Sequence, residues 1–371
     1  LRLVLDFVPN HVAPDHHWVN EHPDFFVEGT PEQLIAEPQN YRHFDTTCGS
    51  RILAYGRDPY FAGWSDTLQL NYGNPALQEA MLGELHRIAN QCDGVRCDMA
   101  MLVLPEIFMK TWGITASPFW PRAITVIRSE VPGFIFLAEV YWDLEWTLQQ
   151  QGFDYTYDKR LYDRLVHGPA RSVREHLLAG LDYQDHMARF LENHDEPRAA
   201  ATFAPDIYFA AAVITFLTPG LRFFHQGQRE GKRVRIPMHL RRGPGEVLNK
   251  SISSFYDHLL AILKNPAFRD GDWQLLDLHS AWEGNGSNEA FIAFAWNGPG
   301  ELRHLVAVNY ASHQSQCYLT MPWSDLAGRT WRFQDRLSMV VYERNGDELS
   351  RLGLYLDLPP WGYHVFVVEP V

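Results

Sequence analysis

Carboxylates recur at one kind of place in this chain, the C-terminal end of a short apolar run. DFVPNH carries Asp6, Asn10 and His11; GVRCD carries Arg96 and Asp98; FLAEV ends on Glu139; FLENHD closes with Asn193, His194 and Asp195. Side chains alternate along a strand, so Arg96 and Asp98, two apart, share a face. A guanidinium beside a carboxylate holds it ionised and oriented. That is the state a carboxylate needs in order to attack a sugar carbon. Glu139 follows Phe, Ile and Leu, and apolar surroundings raise a carboxyl pKa toward the range of a general acid near neutral pH. Paired carboxylates with split acidities are the means of glycosidic bond cleavage.

Each piece alone is weak. A lone strand-end Asp is usually a turn former, Arg-x-Asp is usually a structural ion pair, and His-Asp pairs are common at surfaces. His16, His17 and Cys48 are read in that bland way. The weight lies in four strand ends, in chain order, each carrying the right residue types. Buried acids are also costly unless a site uses them. Cys97 alternates to the face opposite Asp98 and is expected as a packed thiol.

Positioning these residues requires strands held in register. Short apolar runs alternate with helical stretches through about residue 265: LRLVLDFV (1–8), DGVRCDMA (93–100), GFIFLAEV (133–140), FDYTYD (153–158), MARFLEN (187–193) and GLRFFHQ (220–226) read as strands. Helices are expected over 74–91, 118–131, 145–151, 159–166, 172–180, 205–217 and 251–264. The alternation means parallel strands with crossover helices, apolar on both faces. An open doubly wound sheet and a closed (β/α)₈ barrel both satisfy it. Acidic residues at the ends of several different strands favour the barrel, which builds its site there. Residues 12–72 are rich in Pro, His, Asp and Gly, and a segment that long is functional or forms a subdomain. From about 269 onward, alternating strands (IAFAWN, RHLVAVNY, QCYLTM, RTWRFQD, GYHVFVVE) predict an all-β sandwich.

The chain has 371 residues, 46% hydrophobic and 21% charged, with a formal net charge of −13. It exceeds one core of roughly 250–300 residues, so a large domain plus a smaller one is expected. The negative charge argues against nucleic acid, which calls for a basic stripe, and no apolar run approaches the roughly 20 residues of a membrane span. A neutral substrate suits this balance. The 12 Trp, 16 Tyr and 22 Phe could stack on sugar faces, but large cores hold many rings as well. Cys48, Cys92, Cys97 and Cys317 show neither a disulfide framework nor zinc spacing. A reduced compartment, the cytoplasm, is the expectation. Leu1 opens directly into strand-like sequence with no cap or leader, so the chain is expected to begin inside a fold.

In order, DFVPNH, GVRCD, AEV and ENHD resemble the four signature motifs of the α-amylase family (glycoside hydrolase family 13). WSDTLQLNYGNP (64–75) is similar to the end of that family's inserted domain B, GLRFFHQGQREG (220–231) to its eighth-strand motif, and the C-terminal strands to its domain C. The resemblance covers essentially the whole chain. It implies a (β/α)₈ TIM barrel entered at the third strand (1–11), a domain B-like insertion (12–72), strands four to eight with their helices (73–268) and a C-terminal sandwich (269–371). Two N-terminal β/α units would be absent, and with them a Tyr and an Asp that contact the same sugar. The 371 residues alone are then expected neither to fold well nor to act.

Carried over by residue, the resemblance implies Asp98 as nucleophile and Glu139 as acid and then base. Asp195 would stabilise the transition state, Arg96 would orient Asp98, and His11 and His194 would bind sugar hydroxyls. The substrate implied is an α-glucan or maltooligosaccharide, cleaved with retention. A transglycosidase of the same family differs only in what attacks the intermediate. An inactive binding module would have lost a carboxylate, and all three are present. Members with a structural calcium use the Asn of the first motif, here Asn10, and a His four residues after the nucleophile, where this chain has Leu102. No cofactor is therefore expected, and no calcium site of the usual build.

Overall fold

The computed structural model describes residues 1–47 and 49–371; Cys48 lies outside the described residues. The chain divides into two compact units, Leu1–Tyr157 and Asp158–Val371.

The first unit carries a parallel sheet of β1 (Val4–Phe7), β6 (Gly94–Cys97), β7 (Ile135–Ala138) and β8 (Tyr155–Tyr157), paired in that order. Asp6 stands opposite Arg96, and Arg96 opposite Leu137. Every residue of β6 is buried, as a strand covered on both faces must be. Crossover helices follow from apolar spacing. Pro75–Ala89 buries Leu77, Met81, Leu85 and Ala89, each four residues apart, and starts on an Asn74 side chain that accepts the Ala76 N–H. Trp120–Glu130 buries Trp120, Ala123, Ile124 and Ile127. The Trp120 indole donates to the Ala100 carbonyl at 2.8 Å, which fixes the loop that follows Asp98.

Between β1 and β6 lies a region of small elements. β2 (His11–Val12) pairs antiparallel with β5 (Leu68–Gln69), and β3 (Tyr41–Thr46) pairs with β4 (Gly49–Ala54). A short helix, Pro31–Ala36, opens on a capping box of Thr30 and Gln33.

In the second unit β9 (Met187–Arg189) and β10 (Leu221–Arg222) are parallel. The helix Pro205–Leu217 is apolar and buried over most of its circumference. The antiparallel part comprises β11 (Asp272–Leu275), β12 (Leu278–Ser280), β13 (Phe291–Asn297), β14 (Arg303–Asn309), β15 (Ser315–Leu319), β16 (Thr330–Asp335), β17 (Val341–Asn345), β18 (Leu354–Leu358) and β19 (Tyr363–Pro370). They form a six-stranded sheet, β11-β13-β14-β19-β16-β17, and a three-stranded sheet, β12-β15-β18. Phe291, Leu305, Trp331 and Phe366 from the first and Cys317, Leu319 and Leu356 from the second share one apolar cluster.

Strands are shorter than their apolar runs suggest. LRLVLDFV is extended and paired only over Val4–Phe7, and MARFLEN only over Met187–Arg189. Beyond Arg189 the chain turns, and the buried Asn193 side chain accepts the backbone N–H groups of Asp195 and Glu196. No helix among the described residues is long and apolar enough to cross a membrane.

Candidate active site

The C-terminal ends of β1, β6, β7 and β8 bring Asp6, Arg96, Asp98, Glu139 and Tyr157 together, with Arg96 at the centre. Its Nη1 donates to Asp98 Oδ1 at 2.8 Å and to Asp6 Oδ1 at 3.0 Å. Its Nε donates to the Tyr157 hydroxyl at 3.4 Å. Nη2 sits 2.8 Å from Glu139 Oε2 without the alignment of a hydrogen bond, so that contact is electrostatic. Burial opposes the guanidinium charge, but Glu139, Tyr157, Asp98 and Asp6 more than offset it and raise the Arg96 pKa.

The two carboxylates flanking Arg96 stand in different surroundings. The Asp98 side chain is 18% exposed and the Glu139 side chain 3%. Asp98 presents Oδ1 to Arg96, while Oδ2 has no hydrogen-bond partner among the described residues. Glu139 is held at both oxygens: Oε1 accepts from the Tyr141 hydroxyl at 2.8 Å, and Oε2 from the Met99 N–H at 2.9 Å. Met99 reaches that position in the left-handed region, φ 43°, a conformation non-glycine residues rarely adopt and one that clusters at functional sites. Burial pushes the Glu139 carboxyl up to about 7; Arg96 and the two hydrogen bonds oppose the rise, and the Asp98 charge adds to it.

His11 lies on β2 with its ring 5.3 Å from that of Trp64. Burial lowers its pKa against the pull of Asp98 and Asp66. Cys97 is fully buried in the core, its thiol pKa pushed well up by burial, a packed group as expected. Asn10 is buried, and its Oδ1 accepts from Gln69 Nε2 at 2.9 Å. Leu102 is buried and apolar. No cluster of three or more His, Cys, Asp or Glu suited to a metal occurs among the described residues.

His194 and Asp195 belong to the second unit, past the end of β9. His194 Nε2 lies 3.1 Å from Asp195 Oδ2, and both side chains are partly exposed, at 34% and 42%. Beside them Glu192 is buried, accepts the Ala199 N–H and faces Arg198 and His225, each at 3.1 Å.

Tyr141, Tyr157 and the Met99 amide were not among the expected site groups. Tyr157 ends a strand-like run as the carboxylates do, and that signal could have found it. The contacts of Tyr141 and Met99 depend on backbone turns that no sequence spacing announces.

No family model matches the chain. Alpha-amylase MalA of Haloarcula japonica is 25% identical over 242 residues, 63% of this chain and 32% of that protein; the chain thus spans about a third of the curated relative it matches. Among solved structures, the maltogenic alpha-amylase AmyB of Thermotoga neapolitana superposes with a TM-score of 0.69 at 20% identity, over 99% of this chain and 77% of that one. The alpha-amylase of Geobacillus thermoleovorans, solved with acarbose, gives 0.69 at 17% identity, over 100% and 77%. The fold is therefore the α-amylase-type (β/α)₈ barrel with antiparallel C-terminal sheets. The ordered motifs and the likeness to MalA make the chain similar to members of the α-amylase family, glycoside hydrolase family 13.

Proposed function

We propose that this protein is a retaining glycoside hydrolase that cleaves α-glucosidic bonds of α-glucans or maltooligosaccharides. Asp98 attacks the anomeric carbon, forming an ester bond as the C1–O glycosidic bond breaks. Glu139 gives its proton to the departing oxygen. Water then attacks the same carbon, Glu139 takes a proton from it, and the bond to Asp98 breaks. Asp195 stabilises the positive charge on the sugar, and His11 and His194 bind its hydroxyls. The division into barrel segments (1–11 and 73–268), a domain B-like insertion (12–72) and a C-terminal sandwich (269–371) belongs to the same proposal. So does the absence of a cofactor.

The observation that carries this reading is the Arg96 fork. One cation holds Asp98 by a single oxygen and leaves the other for attack. It also faces a buried Glu139 whose acidity burial moves to about 7. Two carboxylates with split roles around a fixed cation are what double displacement requires. MalA and the superposed amylases, named for action on α-glucans, point to the same substrate class. The test is proton NMR of the first product released from a maltooligosaccharide by the intact protein. The α-anomer should appear before mutarotation; initial β-product would exclude Asp98 as nucleophile.

A further inference from the structure

Between β10 and the helix Lys250–Ile262 the chain runs from Phe223 to Asn249 without a helix or a strand. From Arg229 to Lys250 it carries seven Lys or Arg against two Glu, in a chain whose net charge is −13. The whole-chain balance suits a neutral substrate, and here the local balance is the reverse. The segment is a closed loop. Glu246 Oε2 accepts the Arg233 N–H at 2.7 Å and the Val234 N–H at 3.3 Å, and the Asn249 N–H donates to the Glu230 carbonyl at 3.0 Å, so the two arms meet at a neck. Within the loop the Leu240 N–H donates to the Pro237 carbonyl at 2.9 Å, and Ile236 lies so close to Gly243 that a Cβ there would collide with it. Compact loops with their ends together are frequently functional.

The cations divide into two groups. Arg229 is paired with Asp257, and Arg233 Nη1 donates to the Ala200 carbonyl. Lys232, Arg235, Arg241 and Arg242 have no acidic partner among the described residues, and the three Arg are exposed. The Glu246 carboxylate, which could have neutralised one of them, is turned into the neck. Like charges held on one loop repel, so an anion brought among them is stabilised by all of them. The loop also stands where substrate is expected. β9 and β10 are parallel, so it leaves the sheet at the same end as His194 and Asp195. Arg233 ties it to the helix Ala199–Thr202 that follows Asp195, and the Lys232 stem and the Arg198 fork close together over Gly227.

We propose that this loop recognises phosphate esters carried by an α-glucan chain, so that phosphorylated glucan is taken in preference to neutral glucan. The assignment of ligand rests on the proposed function. Guanidinium groups meet phosphate oxygens two at a time, which suits Arg235, Arg241 and Arg242 to this anion. The segment from Arg229 to Lys250 holds no Phe, Tyr or Trp, the rings on which unpaired bases stack, so a nucleic acid fits it poorly. The acidic remainder of the chain repels a long polyanion, whereas an isolated phosphate on a largely neutral polymer meets the loop alone.

The test compares two substrates of equal length in the intact protein: a neutral maltooligosaccharide, and the same oligosaccharide with one primary hydroxyl phosphorylated away from the reacting bond. The phosphorylated substrate should show a kcat/KM about tenfold higher, the worth of a charge-assisted contact, and added salt should shrink that ratio. Arg241→Gln with Arg242→Gln should bring the ratio down to about one. Arg241→Lys with Arg242→Lys should keep part of it, and an unchanged melting temperature in both variants separates lost recognition from damaged folding. Equal kcat/KM on the two substrates, with the neutral one turned over, overturns the loop's role and leaves the enzymatic reading standing. A ratio that survives the glutamine substitutions overturns it as well. Calorimetric titration of the Asp98→Asn protein separates the sources of phosphate. Inorganic phosphate that binds as tightly as the phosphorylated oligosaccharide would show that the loop takes the free ion, and overturns the glucan assignment. Binding of the phosphorylated oligosaccharide that needs Arg241 and Arg242, by a protein that turns over neither substrate, supports the loop and defeats the enzymatic reading.

Discussion

At the scale of single residues, two carboxylates beside one cation are treated unequally. Asp98 and Glu139 both face Arg96, yet burial acts mainly on Glu139 and favours its neutral form. Separate roles predict separate losses. In the intact protein Asp98→Asn should abolish turnover on every substrate. Glu139→Gln should retain measurable turnover on an α-glucosyl fluoride, whose leaving group departs with little acid assistance. Equal loss on all substrates would remove the distinction. On the proposed reading, Tyr141 positions that acid. Its hydroxyl donates to Glu139 Oε1, which favours the carboxylate, so removing it raises the carboxyl pKa further. A general acid is lost as pH rises through its pKa. Tyr141→Phe should therefore move the alkaline limb of the kcat/KM profile upward, by about one pH unit for one hydrogen bond. An unmoved limb with reduced rate would mean that Tyr141 acts on something other than the acid. The gathering of Asp98 and Glu139 at Arg96 was legible from residue type and spacing, because strand-end position survives any detail of rotamer. Tyr141 and Met99 were not, since their contacts depend on a left-handed residue and a turn.

At the scale of elements, helices were the most legible, and the expected 205–217 matches Pro205–Leu217. Apolar residues at helical spacing carry that signal over many turns. The β3–β4 hairpin was not anticipated, because half of β3 and a third of β4 are exposed and neither strand alternates between a buried and an exposed face. β18 alternates plainly, with Leu354, Leu356 and Leu358 inward, and was still absent from the expected strands. Elements in the second unit are tied by one buried carboxylate that the motifs did not mark. Asp158 caps the helix Lys159–His167 through the Leu161 N–H, lies 2.9 Å from His176 Nε2 on the next helix, and lies 3.3 Å from Arg189 Nε on β9. Burial raises its pKa, but His176 and Arg189 more than offset that and hold it below the usual carboxylate range. The group's contribution is accordingly present above the ordinary aspartate pKa and lost as pH falls through the depressed value. Asp158→Asn keeps the shape and much of the cap but leaves Arg189, which is fully buried, without its counter-charge. Removing one member of a buried pair costs about 3–5 kcal/mol. Urea unfolding should show a loss of that order, and a loss within about 0.5 kcal/mol, typical of a surface change, would show that Arg189 is satisfied elsewhere.

At the scale of the molecule, the fold class and the C-terminal sheets were readable from alternation and from the ordered motifs, whereas the solvent side of β1 was not. β1 has one strand partner among the described residues, β6, through the register Val4–Gly94 to Phe7–Cys97. Leu3, Val4 and Val8 are 51%, 40% and 39% exposed. A strand that presents apolar side chains and unpaired backbone groups together is a template for another chain. Asp6, paired with Arg96 though its side chain is 62% exposed, is the one charged residue within Leu3–Val8, and Pro9 comes only after the paired residues. The 371 residues should therefore self-associate in a concentration-dependent way. Light scattering after size exclusion measures the association. Val4→Lys places a charge on the exposed side chain of that edge and should shift the distribution toward monomer. A monomer at every concentration, with a sharp thermal transition and ordinary turnover, would mean that the β1 edge is covered in solution and that the parallel sheet is stable as it stands.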